Sequence, residues 1–187
     1  MVARAQQADR VRRIGVLMWG DENDRVWKPR LSAFTQALAD LGWTDGRNVR
    51  MDLRWAGVDD PNRIQALAHE LVRLQPDIIL THSDVVTAAV QRETRTIPIV
   101  FANVAEPVTT GIVPRLDRPG GNTTGFANNE TSLGGKWLEL LSEIAPGLKR
   151  AAIMFNPNAA AALAYMPLRR RRGHSNSCQS LRSFIAT

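Results

Sequence analysis

The first hundred residues alternate between short apolar segments and longer segments whose apolar side chains recur at helical spacing. Short apolar runs bounded by polar loops are typical of buried parallel strands, and strict apolar–polar alternation indicates a half-buried strand near a sheet edge. The segment 49–55 shows this alternation, and the strands predicted in this part of the chain are 14–19, 49–55, 78–80 and 97–102. Strands separated by helices predict an α/β fold with a parallel, doubly wound sheet.

The helical segments between these strands have recognisable starts and apolar faces. Asp60 is predicted to cap the second helix, and Pro61 to occupy its first position. Either Ser83 or Asp84 is predicted to cap the third helix. The apolar stripe of the first helix comprises Leu31, Phe34, Leu38 and Leu41.

A Pro-Gly-Gly-Asn sequence occupies residues 119–122, after the fourth predicted strand. Proline restricts φ, and glycine and asparagine accept positive φ, so a tight turn is predicted. β-branched residues then favour a strand over 123–126. We interpret the turn as a hinge between a first α/β lobe over 14–121 and the start of a second, incomplete lobe over 122–167. A helix over 133–144 and a strand over 151–155 are predicted within that second lobe.

The net charge of +6 is concentrated at the two ends of the chain. Residues 168–187 contain five arginines and no acid, and residues 1–13 carry a net +3, which leaves −2 for residues 14–167. A nearly neutral body has no basic stripe along which nucleic-acid phosphates would bind, so no nucleic-acid partner is expected. No apolar run in the sequence is long enough to cross a bilayer, so no stable membrane insertion is expected.

Both ends depart from the pattern of the body. A small-x-small sequence at residues 3–5 is typical of a secretory cleavage site, so residues 1–13 are interpreted as the remnant of an export leader. After Pro167 the apolar periodicity stops and an arginine run begins. Residues 168–187 are interpreted as a basic tail, either disordered or read out of frame. The single cysteine, Cys178, lies there, so the body needs no disulfide.

The sequence contains no motif for catalysis or for a cofactor. Residues 81–84 include nucleophile, base and acid types, but adjacent residues on one loop cannot converge as a catalytic triad does. The three histidines lack metal-ligand spacing, and the glycines lack the spacing of a nucleotide-binding loop. We therefore expect a protein without enzyme activity, cofactor or metal.

The polar residues that follow the predicted strands suit the binding of a small ligand. In doubly wound sheets, ligands bind beyond the carboxyl ends of the strands. Thr81 and Ser83 place hydroxyls at the start of a helix, where free N–H groups attract an anion such as a carboxylate. Asn103 and Glu106 follow the next strand, and Glu106 is suited to pair with an ammonium group. Trp19 and Trp27 flank the first loop and can stack on a flat ligand, although Trp27 is equally suited to anchoring the following helix.

These segments resemble the ABC transporter substrate-binding proteins of the tryptophan/tyrosine type. The most specific match is Arg-Pro-Gly-Gly-Asn-Thr-Thr-Gly at 118–125, and the resemblance extends over about residues 13–166. The matching segments are 13–17, 34–38, 41–43, 75–79, 97–101, 106–108 with Gly111, 118–125, 137–141, 145–146 and 156–157.

The resemblance implies a periplasmic-binding-protein type I fold and an exported, periplasmic protein. Such a protein captures a small solute, often an amino acid, between two lobes and delivers it to a permease. The family's binding positions fall on Thr81, Ser83, residues 103–107, Thr124 and Gly125. The family usually has Asp where Glu106 stands. Two complete lobes need well over 187 residues, so a truncated second lobe is expected.

Two alternatives remain open from the sequence. The first is a ligand-sensing domain of a regulator with the same fold, for which a helix-turn-helix before Ile14 would be expected. The second is a flavodoxin-like or nucleotide-dependent enzyme. It would need a phosphate-binding glycine loop after the first strand, where this chain has the acidic Asp21 and Glu22.

Overall fold

The computed structural model describes residues 11–57, 60–129 and 133–147. Along these ranges five strands and four helices follow one another as β1 (Arg12–Met18), α1 (Trp27–Asp40), β2 (Val49–Trp55), α2 (Pro61–Arg73), β3 (Ile78–His82), α3 (Asp84–Glu93), β4 (Ile99–Ala105), β5 (Thr123–Asn129) and α4 (Leu133–Ile144). The strands form one parallel sheet in the order β2-β1-β3-β4-β5. The predicted α/β fold is confirmed, and β2 lies at a sheet edge as its alternating pattern predicted.

The main core lies between the sheet and helices α2 and α3. Leu17, Ile79 and Ile99 from three adjacent strands are fully buried there. They pack with the apolar faces of the two helices, which contribute Ile64, Ala68, Leu71, Val86, Ala89 and Val90. Burying one such aliphatic side chain fully is worth about 1.5–3 kcal/mol, so this layer is the principal source of stability in the described part of the chain.

The first turn of α2 forms as its sequence predicts. The Asp60 carboxylate accepts hydrogen bonds from the backbone N–H groups of Asn62 and Arg63, at 3.1 and 3.0 Å, and Pro61 is the first helical residue. Helix α3 begins differently. Ser83 occupies its N-cap position, but no described side chain, including that of Ser83, makes a capping hydrogen bond there.

Helix α1 is confirmed where its apolar stripe predicts it, yet it is anchored less firmly than α2 and α3. Leu31, Phe34 and Leu38 are only half-buried, and the described residues bury no side chain of this helix. Leu41, directly after the helix, is 76% exposed. Because the β1–β2 connection crosses the sheet in the direction opposite to the later ones, right-handed connections place α1 on the other face.

Strand β5 corrects the predicted hinge at residues 119–122. It pairs in parallel with β4, from Thr123 opposite Ile99 to Asn129 opposite Ala105, and so belongs to the same sheet as β1. The predicted boundary after residue 121 therefore cuts through a single sheet. Asn122 helps to hold the strand in place, because its side-chain amide donates to the carbonyl of Ile97 at 2.7 Å and its own carbonyl accepts from Ile99 at 2.7 Å.

The hinge was predicted wrongly because the connection between β4 and β5 contains no helix. The connection from β4 is a loop over 106–122, in which Ile112 and Val113 are buried against Phe101 and Val104. Parallel neighbouring strands are normally joined through a helix. A strand that follows a loop and a glycine turn, as β5 does, therefore looks in the sequence like the start of a new lobe. The predicted strand at 151–155, the tail over 168–187 and residues 1–10 of the leader predicted over 1–13 lie outside the described residues. The end of that predicted leader is corrected, because Arg12 and Arg13 are the first residues of β1 and pair with β2.

Helix α4 confirms the helix predicted over 133–144. Its apolar side chains are largely accessible in the described part of the chain, with Leu140 53% and Ile144 80% exposed. Within the described ranges, no helix combines the length and the hydropathy that crossing a membrane requires.

Candidate functional site

The carboxyl ends of three adjacent strands form one edge of the sheet. Trp19 follows β1, Ser83 follows β3 and Glu106 follows β4. In the sheet, β2 lies on one side of β1, whereas β3 and β4 lie on the other side. The boundary between β1 and β3 is therefore a topological switch point. This edge is therefore the place where an α/β sheet opens a crevice for a ligand.

Backbone strain is concentrated at this edge. Among the described residues, four non-glycine residues have positive φ, and three of them, Ser83, Asn103 and Glu106, lie at the ends of β3 and β4. Ser83 is the most unusual, because its φ of 85° and ψ of 162° fall in a region occupied almost only by glycine. Such conformations cost about 1–3 kcal/mol each and cluster at functional sites.

A buried hydroxyl pair supports Ser83 from below. Thr87 donates its hydroxyl proton to the carbonyl oxygen of Ser83 at 2.7 Å. The hydroxyl of Thr81, 2.8 Å from that of Thr87, is therefore the donor between the two threonines. Thr81 is fully buried and its hydroxyl is bonded within the fold, so its placement does not support the predicted direct contact with a ligand.

Asp84 connects the start of α3 to the end of β4. Its carboxylate accepts a hydrogen bond from the backbone N–H of Ala105 at 2.9 Å. Burial raises the pKa of Asp84, and the bond from Ala105 opposes that shift. The side chain is thus directed toward the β4 loop, and it fixes Glu106, the next residue, relative to the helix.

Buried polar side chains have hydrogen-bond partners at the amino edge of the sheet, whereas several at the carboxyl edge have none among the described residues. At the amino edge Arg13 forms an ion pair with Asp52, which lowers the pKa of that carboxyl, and Arg13 also donates to the carbonyl of Leu74 at 2.9 Å. At the carboxyl edge, both ring nitrogens of His82 and the hydroxyl of Ser83 are buried without a hydrogen-bond partner in the described ranges. Leaving such a group unpaired costs about 1–3 kcal/mol, so these three atoms are available for hydrogen bonds to polar atoms beyond the described residues.

Three aromatic rings form a cluster at the same edge. The rings of Trp19 and Trp27 meet edge to face with centroids 5.7 Å apart, and Trp27 meets His82 at 4.5 Å. The guanidinium of Arg30 lies 4.6 Å from the Trp27 ring centroid, in a cation–π contact. Gly20 makes room for the indole, because a Cβ atom there would lie 2.5 Å from Trp27 Cδ1.

His82 is held neutral by its surroundings. Burial, aided by the nearby charge of Arg30, lowers its pKa to about 4. A neutral imidazole has one donor and one acceptor nitrogen. His82 can therefore pair with a hydroxyl or an N–H group near neutral pH. No group of three His, Cys, Asp or Glu side chains in the described part of the chain is placed to hold a metal ion.

The β4 end brings two asparagines together. The side-chain amide of Asn128, on β5, donates to the side-chain oxygen of Asn103 at 2.7 Å. Glu106 is only 8% exposed and lies against the turn that it begins, with the Thr109 hydroxyl 3.4 Å from its carboxylate. Asn103 thus remains accessible at the edge, whereas the Glu106 carboxylate does not project outward as the sequence suggested.

Thr124 and Gly125 are not brought to this edge. They pair with Val100 and Phe101 near the amino end of β5, several residues below the strand ends. Gly125 has a packing role, because a Cβ atom at this position would overlap the carbonyl oxygen of Phe101. Their placement in the sheet does not support the predicted contact with a ligand.

Sequence reasoning missed His82 and Asn128 as members of the site. The sequence shows only that His82 lacks metal-ligand spacing, because its burial and its contact with Trp27 depend on an approach between distant segments. Asn128 falls in a strand that was assigned to another lobe. The one sequence signal for Asn128 is its position at the carboxyl end of β5. That position indicates a site residue only once β5 is known to lie beside β4 in the same sheet.

Comparisons with known proteins agree with this architecture. The family model described as "ABC transporter substrate binding protein" matches residues 24–173. A tyrosine-binding protein of Clostridioides difficile (strain R20291) is 34% identical over 123 residues, which make up 66% of this chain and 35% of that relative.

Two solved structures share the fold. A conserved domain protein from Vibrio cholerae has a TM-score of 0.69 at 28% identity, and the match covers 83% of this chain and 51% of that one. A ligand-free, open substrate-binding protein with adhesive properties from Clostridium difficile has a TM-score of 0.64 at 29% identity, over 74% of this chain and 45% of its own. The chain thus spans about half the length of these structures and about a third of the curated relative. The family match covers most of the sequence and confirms the resemblance found there, so this chain belongs to the family of ABC transporter substrate-binding proteins.

Proposed function

We propose that this chain is the solute-binding component of an ABC importer and that the carboxyl edge of its sheet binds an amino acid. The observation that carries the proposal is the strained backbone of Ser83, Asn103 and Glu106 at adjacent strand ends. Strain of this kind persists where a precise arrangement of backbone groups is needed.

The start of α3 supplies the site for the ligand carboxylate. A helix N-terminus carries free N–H groups and about half a positive charge. The described side chains leave this terminus uncapped, and the buried hydroxyl of Ser83, which has no partner there, lies beside it. By contrast, the start of α2 is already occupied by the Asp60 carboxylate. An α-carboxylate would accept hydrogen bonds from the α3 amides and from Ser83.

The end of β4 supplies the polar and acidic side of the same crevice. The side-chain oxygen of Asn103 is an acceptor suited to an α-ammonium group. Glu106 lies three residues later and adds negative potential, although its carboxylate is mostly buried. Trp19 closes the β1 side with an aromatic surface. Together these groups match the opposite charges and the side chain of an amino acid.

The amino-acid class is supported by the relative named as a tyrosine-binding protein. Family membership also favours binding over catalysis, and it supports a periplasmic location and delivery to a permease. We extend these properties to this chain as part of the proposal. The solved relatives are about twice as long, so the second side of a two-lobed site belongs to sequence that the match does not cover.

The proposal is tested by titrating the ¹⁵N-labelled chain with L-tyrosine, L-tryptophan and L-alanine while amide resonances are recorded by NMR. Amides of Asp84, Val85 and Asn103 are expected to shift in a saturable way. This method also detects weak binding. A site that recognises both charged groups of an amino acid should leave D-ribose unbound.

The variant Ser83→Ala is expected to weaken amino-acid binding by about tenfold or more, because a hydrogen bond to a charged group is lost. Ser32→Ala, which removes an exposed hydroxyl on α1, provides the matched control and should bind as the parent does. Saturable shifts confined to other amides, or an equal response to D-ribose, would contradict the proposal.

A further inference from the structure

Strands β4 and β5 each contain one residue that is left out of their mutual pairing, close to the carboxyl ends of both strands. These residues are Asn103 on β4 and Asn128 on β5. The paired residues that flank them are Ala102 with Phe126, Val104 with Ala127, and Ala105 with Asn129. The two interruptions offset each other, so the strands return to the same register after them. A residue inserted in this way forms a β-bulge, and bulges next to functional sites change the direction of a side chain.

The two bulged residues are joined by their side chains. The amide of Asn128 donates to the side-chain oxygen of Asn103 at 2.7 Å. Asn103 has a φ of 57°, in the left-handed region that asparagine tolerates better than most residues. The interruptions in the pairing therefore bring two side-chain amides into contact at the carboxyl edge, where the proposed site lies.

We propose that Asn128 is a positioning residue of the binding site: it holds the amide of Asn103 so that the oxygen, and not the nitrogen, faces the α-ammonium group of the ligand. The inference rests on the proposed function, which assigns Asn103 to that group. It adds β5 to the part of the edge that β1, β3 and β4 form.

The hydrogen bond from Asn128 decides between two orientations of the Asn103 amide. The last torsion of an asparagine side chain is roughly two-fold, so a half-turn exchanges the oxygen with the nitrogen. After such a turn an N–H group of Asn103 would face an N–H group of Asn128. In the observed orientation the oxygen accepts from Asn128 with one lone pair and keeps the second for an ammonium group, which has only donors.

The pair is connected to the proposed carboxylate site through the backbone. The N–H of Ser83 donates to the carbonyl oxygen of Ala102, the residue before Asn103, at 3.3 Å. Ala102 also pairs with His82, the residue before Ser83. The groups proposed for the two charged ends of an amino acid therefore belong to neighbouring positions on adjacent strands.

The positioning role is tested by titrating the full-length parent chain and Asn128→Ala with L-alanine while amide resonances are recorded by NMR. We expect the variant to bind about five- to tenfold more weakly. Asn128→Gln keeps the donor on a longer side chain and should recover most of the affinity. Asn62→Ala, which removes an exposed asparagine on α2, is the matched control and should bind as the parent does.

A double-mutant cycle separates positioning from general support of β5. If Asn128 acts through Asn103, then Asn128→Ala should change the affinity by less than about twofold in a chain that already carries Asn103→Ala. A further loss of about fivefold in that chain would mean that Asn128 supports the sheet or meets the ligand by itself, and would overturn the inference.

The side-chain amide resonances provide a readout that needs no ligand. One amide proton of Asn128 should be shifted downfield by its hydrogen bond and should return upfield in Asn103→Ala. In Asn128→Asp the carboxylate can only accept, so an amide proton of Asn103 should move downfield instead. A hydrogen-bonded amide proton on Asn103 in the parent would show the opposite orientation and would overturn the inference.

Failure of this inference differs from failure of the proposed function. If L-alanine binds the parent and Asn128→Ala equally well, Asn128 has no positioning role and the proposed function stands. If the parent binds no amino acid, the proposed function fails, and the positioning role fails with it even where the resonances confirm the bond between Asn103 and Asn128.

Discussion

The hydroxyl of Thr87 donates to the carbonyl oxygen of Ser83 at 2.7 Å, one helical turn away, and holds the residue with the least favourable backbone conformation at the site. Thr81 donates to Thr87 in turn. A buried chain of hydroxyls thus fixes the start of α3 from inside the fold. Ser83, which is partly exposed, is thus positioned by Thr81 and Thr87, which are fully buried.

Loss of the central hydroxyl should destabilise the fold. Thr87→Val keeps the shape of the side chain but leaves the Ser83 carbonyl and the Thr81 hydroxyl without their bonds. We expect the free energy of unfolding to fall by about 1–3 kcal/mol, measured by urea denaturation. Thr87→Ser, which keeps the hydroxyl and loses a methyl group, should cost less. Equal losses in the two variants would contradict the role assigned to the hydrogen bonds.

Relief of the strain at Ser83 should increase stability and reduce binding. Glycine adopts a φ of 85° and a ψ of 162° without steric cost, so Ser83→Gly should raise the free energy of unfolding by about 1 kcal/mol. The same change removes the hydroxyl that we assign to the ligand. Ser83→Ala separates the two effects, since it should lose affinity without the gain in stability. Thermal and urea unfolding of both variants give the comparison.

Gly125→Ala should disrupt the pairing of β4 with β5. A Cβ atom at this position would overlap the carbonyl oxygen of Phe101, and backbone cannot move aside as a flexible side chain can. We expect a loss of about 3 kcal/mol in the free energy of unfolding, measured by urea denaturation. Thr124→Ala, at the exposed neighbouring position, is the control and should cost less than about 1 kcal/mol. A tolerated alanine at 125 would mean that the close approach of the strands is not required.

Stability should decrease in mild acid because of His82. Its pKa is about 4 in the folded chain, below the ordinary value of 6.5. Between these values the unfolded chain binds a proton that the folded chain does not, so the contribution is complete above about pH 6.5 and is lost as the pH falls toward 4. The slope reaches up to about 1.4 kcal/mol per pH unit.

The contribution of His82 can be isolated by subtraction. His82→Phe removes the titrating group, so urea midpoints of the variant between pH 4 and 6.5 should vary less than those of the parent. The carboxyls of Asp52 and Glu93, whose pKa values are lowered by Arg13 and by His69 respectively, affect both proteins alike. Parallel pH curves for the two proteins would contradict the assigned pKa of His82.

Much of the fold could be predicted because its signals are local. The Asp60–Pro61 start of α2 depends on groups within three residues of each other, and the alternation over 49–55 identifies an edge strand without reference to any partner. The positions of the loops that follow the strands could also be predicted, because they depend only on the order of strands and helices along the chain. Ser83 and Asn103 accordingly lie at the carboxyl ends of β3 and β4, where the order of elements predicts them.

The remaining features depend on contacts between distant segments. The assignment of β5 to a second lobe was wrong because strand pairing is decided by the Asn122 bonds to residues around 97–99 and by the space that Gly125 leaves beside Phe101. The ligand contact predicted for Thr81 is not supported, because its hydroxyl donates to Thr87 inside the fold, and nothing in the sequence shows this bond.

The sequence alone determined the elements, their order and the family, since periodicity, caps and short motifs act over a few residues. Only the tertiary structure decided the order of the strands in the sheet, the hydroxyl groups that are hydrogen-bonded inside the fold, and the contact of Trp27 with His82. The physical reason is that burial and hydrogen-bond satisfaction are properties of the packed chain: the same histidine or threonine is a binding group or a structural group according to what the rest of the molecule places against it.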